Sequence, residues 1–95
     1  MKNWNTLNVG HTADVVDDGE DVMVRRDGDG LFVVLRRFDG SDQSTVWVRR
    51  DDTGWGVNRP EHIRKESLED LSAAVEFGIL LSREALNKYK PQASH

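Results

Sequence analysis

Three pairs of neighbouring arginines are the residues of this chain best suited to binding chemistry. The pairs are Arg25–Arg26, Arg36–Arg37 and Arg49–Arg50, and each pair follows three apolar residues. A guanidinium group forms forked hydrogen bonds with phosphate or carboxylate and stacks on aromatic rings. The first members of the pairs are 11 and then 13 residues apart, which is typical of strands joined by tight turns. The pattern therefore predicts neighbouring strands that present arginine at regular positions.

Aspartate–glycine segments separate these strands and predict hairpin turns. One segment is Asp27-Gly28-Asp29-Gly30, and the other begins with Asp39-Gly40. Such residues supply the positive φ angles that hairpin turns require. We therefore predict a single α+β domain over residues 1–95. It consists of an antiparallel β-meander of four to five strands over 1–57, a connection over 58–66, a C-terminal helix over 67–90 packed on the aliphatic sheet face, and a frayed tail over 91–95.

The predicted helix has both a start signal and a periodic apolar stripe. Ser67 with Asp70 is a variant of the capping box, and Pro91 ends the helix. The stripe consists of Leu68, Leu71, Val75, Ile79, Ser82, Leu86 and Tyr89. Residues 71–79 also resemble the first helix and turn of a helix-turn-helix motif, with Gly78 in the turn. That alternative would break the helix at Gly78.

Strand register decides which arginines share a face, because side chains alternate across a strand. We pair Arg26 with Leu31, and Phe38 with Thr45, through the two turns. This register places an aliphatic set under the helix: Val22, Val24, Leu31, Val33, Leu35, Val46 and Val48. It places a basic and aromatic set on the opposite face: Met23, Arg25, Phe32, Val34, Arg36, Trp47 and Arg49.

We define the arginine–aromatic face as Arg25, Phe32, Arg36, Trp47 and Arg49. It has four interpretations, the last of which is contact with a protein partner. Single-stranded nucleic acid is the first, with arginines on phosphates and bases stacked on Phe32 and Trp47 at about 1–3 kcal/mol each. Internal cation–π pairs on a solvated sheet are the second. Cover by residues 1–16 or by a second copy of the chain, as in a homodimer, is the third. The layout of sheet plus helix is similar to the single-strand-binding transcriptional coactivator and Whirly group, which implies nucleic acid but transfers no sites.

Two other surfaces predict a protein-interaction module, such as an inhibitor or adaptor of the kind that mobile elements encode. One is an acidic turn over residues 14–21 that carries Asp14, Asp17, Asp18, Glu20 and Asp21. Five carboxylates so close together can dock on a basic partner, although a solvated turn has the same composition. The second surface is a patch formed by Phe77 and Leu80, which lie beside Leu81 and away from the helix stripe.

Composition limits the class of protein. The net charge of −4, from 13 basic and 17 acidic residues, argues against coating of duplex DNA. No run of about 20 apolar residues is present to span a membrane, and the absence of cysteine excludes disulfides and thiolate metal sites. The three histidines are far apart, and Asp27–Gly30 is only a fragment of a calcium loop. We therefore predict a cytoplasmic binding protein with no catalytic residues, no cofactor and no metal.

Overall fold

The computed structural model describes residues 3–37, 43–59 and 68–89 of the chain, with side chains as far as Glu84. The fold is α+β, as predicted: a five-stranded antiparallel meander in the order β1-β2-β3-β4-β5, with one C-terminal helix packed against β3–β5. The elements are a 3-10 turn Trp4–Thr6, β1 Thr12–Asp17, β2 Glu20–Gly28, β3 Leu31–Arg37, β4 Gln43–Asp51, β5 Gly54–Asn58 and α1 Leu71–Tyr89. The predicted cap Ser67 and the predicted tail 91–95 lie outside the described residues.

The predicted register between β2 and β3 is wrong by one residue. Val24 lies opposite Val34, whereas the prediction placed Val33 there. The cause is a β-bulge between Arg26 and Gly28, which adds one residue to β2 beside the turn. A slip of one residue exchanges the two faces of a strand. The predicted register between β3 and β4 is also wrong, by three residues, because Thr45 lies opposite Leu35 and not opposite Phe38.

The exchange of faces changes the membership of the core. Val22, Val24, Val46 and Val48 are buried under α1, as predicted. The prediction is wrong for Leu31, Val33 and Leu35, which lie on the opposite face of the sheet because of the bulge. From β3 the core instead receives Phe32, Val34 and the side chain of Arg36. The rest of the core comes from the N-terminal segment, β5 and the helix: Trp4, Trp55, Val57, Leu71, Ala74, Val75, Ile79 and Leu81.

Helix α1 begins four residues after the predicted start and does not break. Leu68 forms a β-bridge with Trp55, and Asp70 caps the helix by accepting a hydrogen bond from the Ser72 N–H at 3.2 Å. The helix then continues through Gly78 to Tyr89, so the helix-turn-helix interpretation is wrong. Gly78 serves close packing instead: a Cβ atom there would lie 3.1 Å from Val48 and 3.3 Å from Val34.

Two of the six paired arginines stabilise the end of the core nearest the β2–β3 turn. The guanidinium of Arg26 lies 5.1 Å from the centre of the Phe32 ring, and that of Arg50 lies 5.7 Å from the Trp55 ring. The two rings meet edge to face at 5.9 Å. Arg26 also donates to the Leu7 carbonyl at 2.8 Å, which ties the N-terminal segment to the sheet. Cation–π pairs therefore occur within this fold, but they use the second arginine of two of the three pairs.

Candidate functional site

The structure separates the five residues of the predicted arginine–aromatic face. Phe32 and Arg36 are 0% exposed beneath α1, so the prediction that they present a binding surface is wrong. The one-residue shift at the bulge is the physical reason. Arg25, Trp47 and Arg49 lie on the opposite sheet face, which we call the open face. Residues 3–17, the described part of the N-terminal segment, do not cover it: β1 extends the sheet sideways, and Trp4 belongs to the core under the helix.

Arg36 is a buried cation with a full set of partners. Its Nε donates to Ser82 Oγ at 3.0 Å, and its Nη1 donates to Glu20 Oε1 at 2.7 Å. Its Nη2 donates to the carboxylate of Asp17. Ser82 Oγ in turn donates to the Ile79 carbonyl at 2.6 Å. A charge is retained in a protein interior only when it is paired and hydrogen-bonded, and Arg36 meets that condition.

Asp17 connects this buried arginine to a second one on the helix. Arg83 donates to its two carboxylate oxygens, through Nη2 at 2.7 Å and through Nε at 3.1 Å. Hydrogen bonds from Arg83, and then from Arg36, lower the pKa of Asp17 below its ordinary value against the opposing effect of burial. The arginine network, defined as Arg36, Arg83, Asp17, Glu20 and Ser82, thus joins the β1–β2 hairpin to β3 and α1.

The arginine network corrects the prediction of one acidic surface over residues 14–21. Asp17 and Glu20 face the helix side and pair with Arg36, so they are not available as a docking surface. Asp14 and Asp21 lie on the open face, and Asp18 is exposed in the two-residue turn at a φ of +56°. Alternation along β1 and β2 therefore divides four of the five carboxylates between the two faces, and Asp18 lies in the turn.

Acidification is expected to remove the contribution of Asp17 to stability. Because its pKa is lowered in the folded protein, the carboxylate stabilises the fold above the unfolded pKa of about 3.9, and this stabilisation disappears as pH falls through the folded value. Urea denaturation of wild type and Asp17→Asn at several pH values from 7 to 3 measures it. We expect the stability gap between the two proteins to be largest above about pH 5 and to close on acidification. A gap that is independent of pH would contradict the ion-paired role.

The open face carries a partly exposed apolar strip across three strands. Cross-strand pairing places Met23 opposite Leu35, and Val33 opposite Trp47. Met23, Leu35 and Trp47 are half-buried, whereas Val33 between them is 2% exposed. We call these four residues the apolar strip. Trp4 and Trp55 are buried, which leaves Trp47 as the tryptophan in contact with solvent.

Charges of opposite sign flank the apolar strip. An open depression of about 290 Å³ has Met23 and Leu35 as its apolar lining, with Asp14, Asp21, Arg37 and Gln43 around them. The exposed Arg49 lies beyond Trp47 on the same strand. Arg25, in contrast, is neutralised by Asp27, whose carboxylate accepts two hydrogen bonds at 2.6 and 3.1 Å and raises the arginine pKa. The site therefore combines apolar area with carboxylates on one side and guanidinium groups on the other.

The predicted patch on the helix is smaller than expected. Leu80 is 39% exposed, as a surface residue would be. Phe77, however, is half-buried and packs against the core, and Leu81 is 2% exposed. The helix therefore buries most of this apolar surface, even though it does not bend at Gly78.

Leu35, Arg37 and Gln43 contribute to the open face, although none of the three was predicted there. The turn Asp27–Gly30 is the signal that could have indicated the positions of Leu35 and Arg37, because the bulge lies at its first aspartate–glycine pair, at the end of β2. Across the described part of the chain, no group of three histidine or carboxylate side chains is arranged to hold a metal ion.

Comparison with known proteins assigns no family to the chain. No protein-family model, no curated protein and no solved structure matches it. No helix in the described residues is long and apolar enough to cross a membrane. The cytoplasmic location stays a prediction.

Proposed function

We propose that this chain is a small non-enzymatic protein-interaction module that binds its partner on the open face. The observation that carries the proposal is the apolar strip, which remains partly exposed while valines and aromatic rings fill the opposite face. Trp47 supplies the large rigid side chain that dominates many protein interfaces. Asp14 and Asp21 on one side, with Arg37 and Arg49 on the other, supply the polar rim that fixes the orientation of a partner.

Single-stranded nucleic acid fits the same face less well. Of the two rings expected to stack on bases, only Trp47 lies on the open face. Arg36 pairs with carboxylates in the core, and Arg25 pairs with Asp27. Asp14 and Asp21 would repel a phosphate backbone that passes along the depression. A platform for single strands needs several stacking rings and a continuous cationic groove.

The proposal can be tested by selecting binding peptides from a random displayed library on the immobilised protein. We expect the selected peptides to lose roughly tenfold or more of their affinity for Trp47→Ala, which removes the central anchor. Glu76→Ala on the exposed side of α1 is the matched control, and its affinity should stay at the wild-type level. Circular dichroism verifies that both variants are folded. Peptides that bind Trp47→Ala as well as wild type would overturn the proposal.

Trp47 fluorescence tests the nucleic-acid alternative directly. Because the other two tryptophans are buried, quenching by a mixed-sequence single-stranded oligonucleotide would report mainly on Trp47. We expect a flat titration at both low and physiological salt. Salt-sensitive quenching that disappears in both Trp47→Phe and Arg49→Glu would replace the protein-binding proposal with nucleic-acid binding.

A further inference from the structure

Strand β1 is an unpaired edge of the sheet in the described part of the chain. The opposite edge strand, β5, is paired with Leu68 at Trp55. The Trp55 N–H donates to the Leu68 carbonyl at 2.7 Å, and the Trp55 carbonyl accepts from the Leu68 N–H at 3.0 Å. β1 pairs with β2 on its inner side only. Val16 near its end is 73% exposed, so its side chain is open to solvent.

One hydrogen bond fixes which backbone groups of β1 point outward. The Arg26 N–H donates to the His11 carbonyl at 3.1 Å. Because hydrogen-bonded positions alternate along an antiparallel strand, the odd-numbered residues of β1 face β2. The N–H and C=O groups of Thr12, Asp14 and Val16 therefore point away from the sheet. The side chains of these same three residues lie on the open face.

The charge of β1 decides what kind of strand can pair with it. Asp14 lies in the middle of the strand and Asp18 follows it in the turn, and both carboxylates are exposed. A second copy that paired through the same edge would bring Asp14 close to its own counterpart, and like charges on paired strands are destabilising. Acidic residues on an edge thus oppose self-association. A cationic strand would instead be attracted to Asp14.

We propose that β1 accepts an extended, lysine- or arginine-rich segment of a protein partner as a sixth antiparallel strand. This inference rests on the proposed protein-binding function and specifies the chemistry of the partner. The added strand would form backbone hydrogen bonds with Thr12, Asp14 and Val16. A basic side chain opposite Asp14 would lie beside the depression lined by Asp14 and Asp21, with its aliphatic part toward Met23.

A pair of short peptides tests the charge preference. One alternates lysine with valine, and the other has glutamate in place of each lysine. We expect the lysine peptide to bind wild type roughly threefold or more tightly than the glutamate peptide, because the cross-strand pair with Asp14 is attractive in the first and repulsive in the second. Asp14→Lys should reverse the preference, whereas Glu76→Lys, with the same change in net charge on exposed α1, should leave it unchanged. Equal effects of the two substitutions would overturn the proposal.

Val16→Pro separates strand addition from attraction between charges. The Val16 N–H points outward, so proline removes a bond to the added strand and no bond to β2. We expect a folded variant that loses roughly tenfold or more of its affinity for the lysine peptide. Wild-type affinity would overturn strand addition. The library-selected peptides distinguish the two proposals: if Trp47→Ala weakens them while the β1 variants leave the lysine peptide unaffected, open-face binding stands and strand addition fails.

Discussion

Replacing Arg36 by glutamate is expected to lower the free energy of unfolding by about 3–5 kcal/mol or more, which is enough to unfold many domains of this size. The substitution removes every hydrogen bond that the guanidinium donates and places a third carboxylate beside Asp17 and Glu20. Arg49→Glu is the matched control, because it makes the same change in charge on the exposed part of the open face. Its stability should stay within about 0.5 kcal/mol of wild type.

Urea denaturation monitored by circular dichroism measures both variants. The sequence pattern alone predicts that they behave alike, since both arginines follow an apolar run and begin an arginine pair. The structure predicts that they differ widely. Equal stability of Arg36→Glu and Arg49→Glu would show that Arg36 is exposed and that the register of β3 is wrong.

The sequence predicted the elements of this fold better than it predicted which side chains share a face. Repeated apolar runs and aspartate–glycine turns were sufficient for an antiparallel meander with one helix, and alternation placed the valines of β2 and β4 correctly. The errors lie in the register of β3 with both of its neighbours. The bulge between Arg26 and Gly28 shifts β3 by one residue against β2, and β4 pairs with β3 three residues away from the predicted register. A bulge adds one residue without changing the polarity pattern of either strand, so periodicity does not detect it.

Burial of Arg36 could not be predicted for a related reason. Its partners Glu20, Asp17 and Ser82 are 16, 19 and 46 residues away in the sequence, and they come together only when the helix packs on the sheet. The candidate site was predicted in part. Arg25, Trp47 and Arg49 do share the open face, because they lie on β2 and β4, where the alternation was read correctly. Leu35 and Arg37 were assigned to the wrong face together with the rest of β3.

Gly78→Leu is expected to destabilise the protein by about 2 kcal/mol or more, because α1 has no room for a side chain at that position. Even a Cβ would lie 3.1 Å from Val48, 3.3 Å from Val34 and 3.6 Å from Val46, and all three valines are fully buried. Gly78→Ala is the graded control. Its gain in helix propensity of about 1 kcal/mol offsets the cost of these tight contacts, so its stability should stay near that of wild type.

The same substitution tests whether helix packing and the arginine network depend on each other. Ser82 lies one turn beyond Gly78 and accepts a hydrogen bond from Arg36 at 3.0 Å. A leucine that moves α1 away from β3 should therefore weaken the ion pairs that Arg36 and Arg83 form with Asp17. In a Gly78→Leu background, Asp17→Asn should then cost less stability at neutral pH than it costs in wild type, since residues of one network are not additive. Equal costs in the two backgrounds would mean that the hairpin and the helix are stabilised independently. Coupling would mean that α1 fixes the β1–β2 hairpin, and with it the edge strand proposed to bind the partner.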